Sequence, residues 1–155
     1  MKVKDVMTRN VATVGLSTGL RQIYRIFCEK NIGGVPVTDG EGRLLGMVTK
    51  TELIDVLIPD YFEMIGDFLF IDDLGALEEK LEFMPSLELF IAEDLMVANV
   101  ISIKENASLM KAPVLMNKYN IRRLPVVTGD DNKLAGIITR MDICKALFNG
   151  ETKQK

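Results

Sequence analysis

Residues 5 to 40 meet a second version of themselves at 94 to 129 when the 155-residue sequence is slid by 89 positions. Ten of those 36 positions are identical: Asp5, Met7, Asn10, Val11, Leu20, Asn31, Ile32, Pro36, Val37 and Gly40. One inserted residue near Asp130 moves the offset to 90, after which Leu44, Gly46, Thr49 and Leu57 meet Leu134, Gly136, Thr139 and Leu147. This duplication constrains the fold more than any single motif does. A unit of about 50 residues buries too little apolar surface to stand alone, so the two copies are expected to cover each other's sheet faces. Such a pair has pseudo-two-fold symmetry, and symmetry makes two related clefts at the seam.

Each copy reads as β-α-β-β-α, an α/β (α+β) arrangement. A short strand is expected over Val11 to Val14 and again over Val100 to Ile103. Ser17 and Asn106 stand where an N-cap oxygen would satisfy free amides. Leu20, Ile23, Tyr24 and Phe27 recur at helical spacing, as do Leu109, Ala112, Leu115 and Met116. Pro113 falls inside the second of these helices and is expected to kink it. Buried strands follow at Val35-Pro36-Val37 and Leu124-Pro125-Val126-Val127. Turns come at Asp39-Gly40-Glu41-Gly42 and Gly129-Asp130-Asp131-Asn132. Third strands run Leu44 to Val48 and Leu134 to Ile138, and last helices start near Thr51 and Met141. The expected layout is a first repeat over 1–58, an insert over 59–91, a second repeat over 92–150 and a tail over 151–155.

Composition prunes the functions open to such a chain. Hydrophobic residues make up 48% and charged residues 26%, which is ordinary for a globular protein. There is no His, so Ser-His triads, His-metal sites and His general bases are excluded. No glycine-rich phosphate loop ending in Gly-Lys-Ser/Thr occurs, and no Gly-x-Gly-x-x-Gly follows a strand. Cys28 and Cys144 lie far apart in apolar, helix-like settings and are expected as free, buried thiols. No apolar run reaches the roughly 18 residues of a membrane span. Met1-Lys2-Val3-Lys4-Asp5 leads into no apolar stretch, so a cytoplasmic location is expected.

Charge is distributed unevenly. Residues 55 to 92 carry ten acids and one base, Lys80, whereas the rest of the chain carries 12 acids and 18 bases. Six of the ten aromatics, including Tyr61, Phe68 and Phe90, lie in that acidic stretch. Leu74, Leu77, Leu81 and Met84 can share one helical face there. The stretch reads as helices packed on the repeats or on a dimer mate, or as a partner's docking surface. Its charge argues against nucleic acid and anionic membranes.

Three ordered motifs occur twice. Asp5-Val6-Met7, Gly34-Val35-Pro36-Val37 and Gly46-Met47-Val48-Thr49-Lys50-Thr51-Glu52-Leu53 are matched by Asp94-Leu95-Met96, Arg123-Leu124-Pro125-Val126-Val127 and Gly136-Ile137-Ile138-Thr139-Arg140-Met141-Asp142-Ile143. Together they resemble the signature of CBS domains, over about 3 to 58 and 92 to 148. The chain resembles a stand-alone tandem CBS pair, or Bateman module. The resemblance implies a disc-like homodimer, no catalysis and no required cofactor. It also implies regulatory binding of adenosine-containing ligands such as AMP, ADP, ATP, S-adenosylmethionine, NAD or cyclic di-AMP.

Thr139 and Asp142 stand three apart where a strand passes into a helix. A carboxylate there can accept two hydrogen bonds from a ribose diol, and the Thr139 hydroxyl and free helix amides can face a phosphate. A plain capping box explains the same spacing without a ligand. By resemblance, each cleft draws on both repeats. One would combine Ala12, Ile32, Gly33 and Gly34 with Ile137, Thr139 and Asp142, with Arg140 able to reach in. The other would combine Val100, Ile101, Ile121, Arg122 and Arg123 with Met47, Thr49 and Glu52. Arg122 and Arg123 form a fork suited to phosphate oxygens; the plainer reading is solvent exposure beside acids of the middle segment. Gly33 and Gly34 can line a pocket or serve a turn needing positive φ. Glu52 is one methylene longer than the family's Asp.

These residues point to a ligand sensor that changes its conformation or dimer and signals to a partner protein. The rival reading is a structural dimerisation module with degenerate clefts. An enzyme acting on nucleotides would have Asp142 and Glu52 as bases but no accompanying nucleophile or metal cluster.

Overall fold

The computed structural model describes residues 1–58, 72–75, 78–79 and 85–149. The first repeat holds α1 (Leu20–Lys30), β1 (Gly34–Thr38), β2 (Leu44–Thr49) and α2 (Lys50–Asp55). After a 3-10 turn at Pro85–Leu89 come α3 (Ala92–Leu95), β3 (Val97–Ala98), β4 (Ile103–Lys104), α4 (Lys111–Lys118), β5 (Arg123–Thr128), β6 (Lys133–Thr139) and α5 (Arg140–Phe148). The strands make two three-stranded sheets, ordered β1-β2-β3 and β4-β5-β6.

Local chemistry accounts for the shared plan. On α1, Ile23 and Phe27 stand four apart and are buried, the spacing that keeps two side chains on one helix face. The helix stops at Asn31 in the left-handed region, φ 51°, and α4 is followed by Asn120 at φ 52°. The repeated asparagines are therefore helix stops, a role their short polar side chains suit. The β1–β2 hairpin is antiparallel, pairing Gly34 with Thr49 and Val37 with Gly46. Its turn closes on Asp39, whose carboxylate accepts from the amides of Glu41 and Arg43, both at 2.9 Å. Val35, Pro36 and Val37 are buried in succession, as are Leu124 to Val127, so these strands are covered on both faces.

The two repeats exchange their leading segments. Val3 and Met7 are buried in the core of the second repeat, with Ile103, Leu109, Met116, Leu124 and Ile138. Ala92 and Leu95 are buried in the core of the first, with Ile23, Phe27, Val35 and Val48. Backbone bonds follow the exchange. Thr8 and Ile137 trade both amide–carbonyl bonds at 2.9 Å, and the Val3 amide donates to the Ala107 carbonyl at 3.0 Å. In the mirror-image place, β3 pairs with β2, Met47 opposite Val97. The duplicated Gly46 and Gly136 sit where these guests cross. A Cβ on Gly46 would lie 2.6 Å from the Val97 carbonyl oxygen, and one on Gly136 would lie 2.5 Å from that of Thr8.

Several local expectations give way. The strand over 11–14 is reduced to one parallel bridge, Val14 with Val37. Gly15 follows it, and glycine weakens a strand; the second copy has Lys104 there and pairs over two residues, shifted to Ile103–Lys104. Ser17 and Asn106 cap nothing: the residues preceding α1 and α4 are Gly19 and Met110, with no side-chain cap. A separate turn, closed by the Gly15 amide on Thr18 Oγ1 at 3.1 Å, delays α1. Pro113 lies in the first turn of α4, where a missing N–H costs no helical bond, and the helix runs on to Lys118. Cys28 and Cys144 are exposed, because α1 buries Ile23 and Phe27, and α5 buries Ile143, on the adjoining face. Tyr24 is exposed as well. In the expected helical face of the insert, Leu77, Leu81 and Met84 fall outside the described residues, and Leu74 is exposed. Arg21 Nε pairs with Glu88 Oε1 at 3.0 Å, tying α1 to the Pro85–Leu89 turn.

Because backbone cannot step aside as a side-chain tip can, Gly136→Ala is expected to cost about 1–3 kcal/mol. Thermal unfolding should show a fall of about 3–10 °C. Gly40→Ala, with no atom within 4 Å of the added Cβ, should leave the melting temperature within about 2 °C of wild type.

Candidate functional site

The two strand-to-helix junctions are built alike. At β2–α2, the Thr49 amide and Oγ1 donate to Glu52 Oε2 at 2.6 and 2.5 Å, and the Thr51 amide donates to Thr49 Oγ1 at 3.3 Å. At β6–α5, the Thr139 amide and Oγ1 donate to Asp142 Oδ2 at 2.8 and 2.7 Å, and the Asp142 amide returns to Thr139 Oγ1 at 3.3 Å. Both are complete capping boxes, so that reading of the spacing holds. Each box occupies one carboxylate oxygen, and no described residue donates to Glu52 Oε1 or Asp142 Oδ1. A second acceptor therefore remains at each junction for a bound diol. In this ligand-free arrangement both threonine hydroxyls donate to the carboxylates of their own boxes. The extra methylene of Glu52 leaves its box closed.

A cavity of about 850 Å³ opens between the repeats. Met47, Thr49 and Glu52 wall one side; Val100, Ile101, Ile121, Arg122 and Arg123 wall the other. These are the eight residues expected together at one seam. Sequence reasoning missed Lys50, Thr51, Asn99, Tyr119 and Asn120, which also line it. Asn99 and Asn120 carried a signal, since each repeats an asparagine of the first copy; Tyr119 carried none, because Lys30 stands at its equivalent position.

Of the residues expected at the other seam, only Gly33 lines the cavity just described. Ala12 and Ile32 pack on the first repeat's core, and Ile137 is bridged to Thr8. Arg140 Nη2 donates to the Ile121 carbonyl at 3.4 Å, within its own repeat. Neither Gly33 nor Gly34 has a positive φ, unlike Gly42 and Gly129, so the turn explanation for them does not hold.

The cavity walls carry Lys50, Arg122 and Arg123 against the single carboxylate of Glu52. Arg123 is half-buried and has no carboxylate within 4.0 Å among the described residues; Arg122 is exposed and likewise unpaired there. Burial first, and then the neighbouring Arg122 charge, press the Arg123 guanidinium below its usual range, while Glu52 acts in the opposite sense. A cation desolvated beside a like charge is an unmet demand for an anion. The acids of the middle stretch do not answer it among the described residues. A smaller hollow of about 390 Å³ lies beyond Glu52 and carries Asp55 and Asp94, which repel an anion. Among the described residues no group of three or more Cys, Asp or Glu is placed to hold a metal ion, and no helix is long and apolar enough to cross a membrane.

Comparison with known proteins places this geometry in a family. The profile of the CBS domain matches residues 3–59 and 92–149. The uncharacterised protein MJ1426 of Methanocaldococcus jannaschii is 29% identical over 96% of this chain and 92% of its own length. Another protein of that organism, MJ1404, is 32% identical over 93% of this chain, which spans only 31% of it. Among solved structures, CBSX2 in complex with AMP superposes with a TM-score of 0.73 at 26% identity, covering 97% of this chain and 98% of that one. The CBS-pair protein CBSX2 from Arabidopsis thaliana gives the same TM-score at 25% identity, covering 98% and 97%. With that profile matched once over each copy of the duplicated unit, the chain belongs to the CBS domain family and carries that domain as a tandem pair.

Proposed function

We propose that the chain is a regulatory module that binds an adenosine-containing ligand in the cavity between its repeats. The observation that carries this reading is Arg123, a half-buried guanidinium on the cavity wall without a carboxylate partner among the described residues. Arg122 and Arg123 receive phosphate oxygens, a geometry that suits the guanidinium fork. Glu52, with one oxygen in its capping box, offers the other to the ribose diol. Val100, Ile101, Ile121 and Met47 provide the apolar surface an adenine ring needs. The complex of CBSX2 with AMP supports the ligand class. A ligand touching both repeats shifts their relative arrangement only by its difference in affinity between arrangements. The readout is then a partner protein, or a second copy of the chain. Ile54 on α2 and Met141 and Phe148 on α5 are exposed apolar side chains suited to a homodimer.

One observation favours the rival assembly reading: both capping boxes are complete without a ligand. Calorimetry separates the two. Titration with AMP, ADP, ATP, S-adenosylmethionine and cyclic di-AMP is expected to give saturable heat with at least one phosphate-bearing compound. Ligand at 100 times its dissociation constant should then stabilise the fold by about 2.7 kcal/mol. No heat with any of them, from folded protein, leaves only the assembly role.

The ribose assignment has its own check. Glu52→Ala should weaken AMP more than it weakens 2′,3′-dideoxy-AMP, by about tenfold. Equal weakening would show that Glu52 holds no diol.

A further inference from the structure

Slid by 89, Gly33-Gly34 falls on Arg122-Arg123. The same two positions of the repeat therefore carry no side chain in one copy and the largest cations in the other. The fold brings the two sets face to face. A Cβ placed on Gly34 would overlap Arg123 Nη1 and come within 3.2 Å of Arg123 Cζ; one on Gly33 would lie 3.0 Å from Nη2. The guanidinium thus lies against the backbone at the head of β1. Neither glycine has a positive φ, so conformation does not require glycine here, whereas space does.

We infer that Gly33 and Gly34 form a slot that positions the Arg123 guanidinium at the cavity wall, and that this slot sets the preference of the cavity for phosphorylated over neutral ligands. The inference rests on the nucleotide reading above. Arg123 is the binding residue, and Gly34 is a positioning residue that acts through it. With two arginines at these positions in both copies, the side chains would compete for one volume and four positive charges would meet at the seam. With glycines in both, the cavity would lose its fork. The pairing of an empty copy with a cationic one yields a single preorganised anion subsite, which saves the ordering cost of a free arginine.

Substitution of Gly34 is informative because the group in its way is the tip of a flexible side chain. Gly34→Ala should displace Arg123 at little cost to the fold, the other near contact being Thr49 Cγ2 at 3.2 Å. Wild type, Arg123→Ala, Gly34→Ala and the double variant are titrated with ADP, adenosine and inorganic pyrophosphate. Arg123→Ala and Gly34→Ala should each weaken ADP and pyrophosphate by about ten- to a hundredfold, the worth of one charge-assisted hydrogen bond. Adenosine should change by less than about twofold. The double variant should be no weaker than Arg123→Ala, since both changes act on one group.

Gly34→Ala binding ADP as wild type does, losses that multiply in the double variant, or an equal loss of adenosine would each overturn the slot. Gly33→Ala presses on Nη2 alone and should show a smaller loss in the same direction; if Gly34→Ala fails to fold, an unchanged Gly33→Ala overturns the inference. Wild type that takes pyrophosphate but neither ADP nor adenosine would defeat the nucleotide reading and leave the slot to be judged on pyrophosphate. Wild type that takes none of the three defeats both.

Discussion

The exchange of leading segments is the constraint on which the rest of the structure depends. Val3 and Met7 complete the core of the repeat to which they do not belong, and Ala92 and Leu95 return the arrangement. Neither repeat has a full core without the other's lead. The exchange also draws Val97 and Thr8 across Gly46 and Gly136, at a distance that excludes any side chain. This clasp brings the head of one repeat's β5 to the head of the other's β1. The cavity is a consequence of that approach, since its walls are supplied by both copies.

Duplication followed by divergence gives the seam its asymmetry. The two strand-to-helix junctions keep the same capping box, one closed by Glu52 and one by Asp142. What diverged is the position that faces the pseudo-two-fold axis. Arginine in one copy and glycine in the other cannot be exchanged without changing the charge of the cavity, so a symmetric fold presents unlike surfaces on the two sides of its axis. Lys50, from the glycine copy, adds a third cation to the cavity wall. An acidic chain can attract an anion in this way, because the field at a cavity is set by nearby desolvated groups and not by net charge.

Much of this was legible in the residues, and the failures have physical causes. The repeat, the buried Val-Pro-Val strands, the turns and the Thr-x-x-acid junctions depend on local pattern, and the structure forms them. The eight residues that meet in the cavity were placed together by resemblance to a family, because spacing alone does not say which elements approach. The exchange itself was hidden: Val3 and Met7 announce a buried face but not whose core they enter. Gly46 and Gly136 did carry a signal, as repeated glycines within strands, which mark a close backbone approach. Gly33-Gly34 is ambiguous because a turn and a pocket wall ask for the same residue; the absence of a positive φ removes the turn, and Gly33 lines the cavity. Ser17 stands two residues before the N-cap position of α1 and Asn106 four before that of α4, and the later start carries Pro113 into the first turn. Cys28 and Cys144 are exposed because their apolar neighbours in sequence take the adjoining, buried face of each helix.

One nucleotide at the seam, held by groups from both repeats, is the arrangement we propose. A crystal structure of the protein grown with saturating AMP tests it most directly. A phosphate oxygen is expected about 3 Å from the Arg123 guanidinium, with the ribose hydroxyls at Glu52. A cavity that stays empty under those conditions, or AMP seated away from both Arg123 and Glu52, would contradict it.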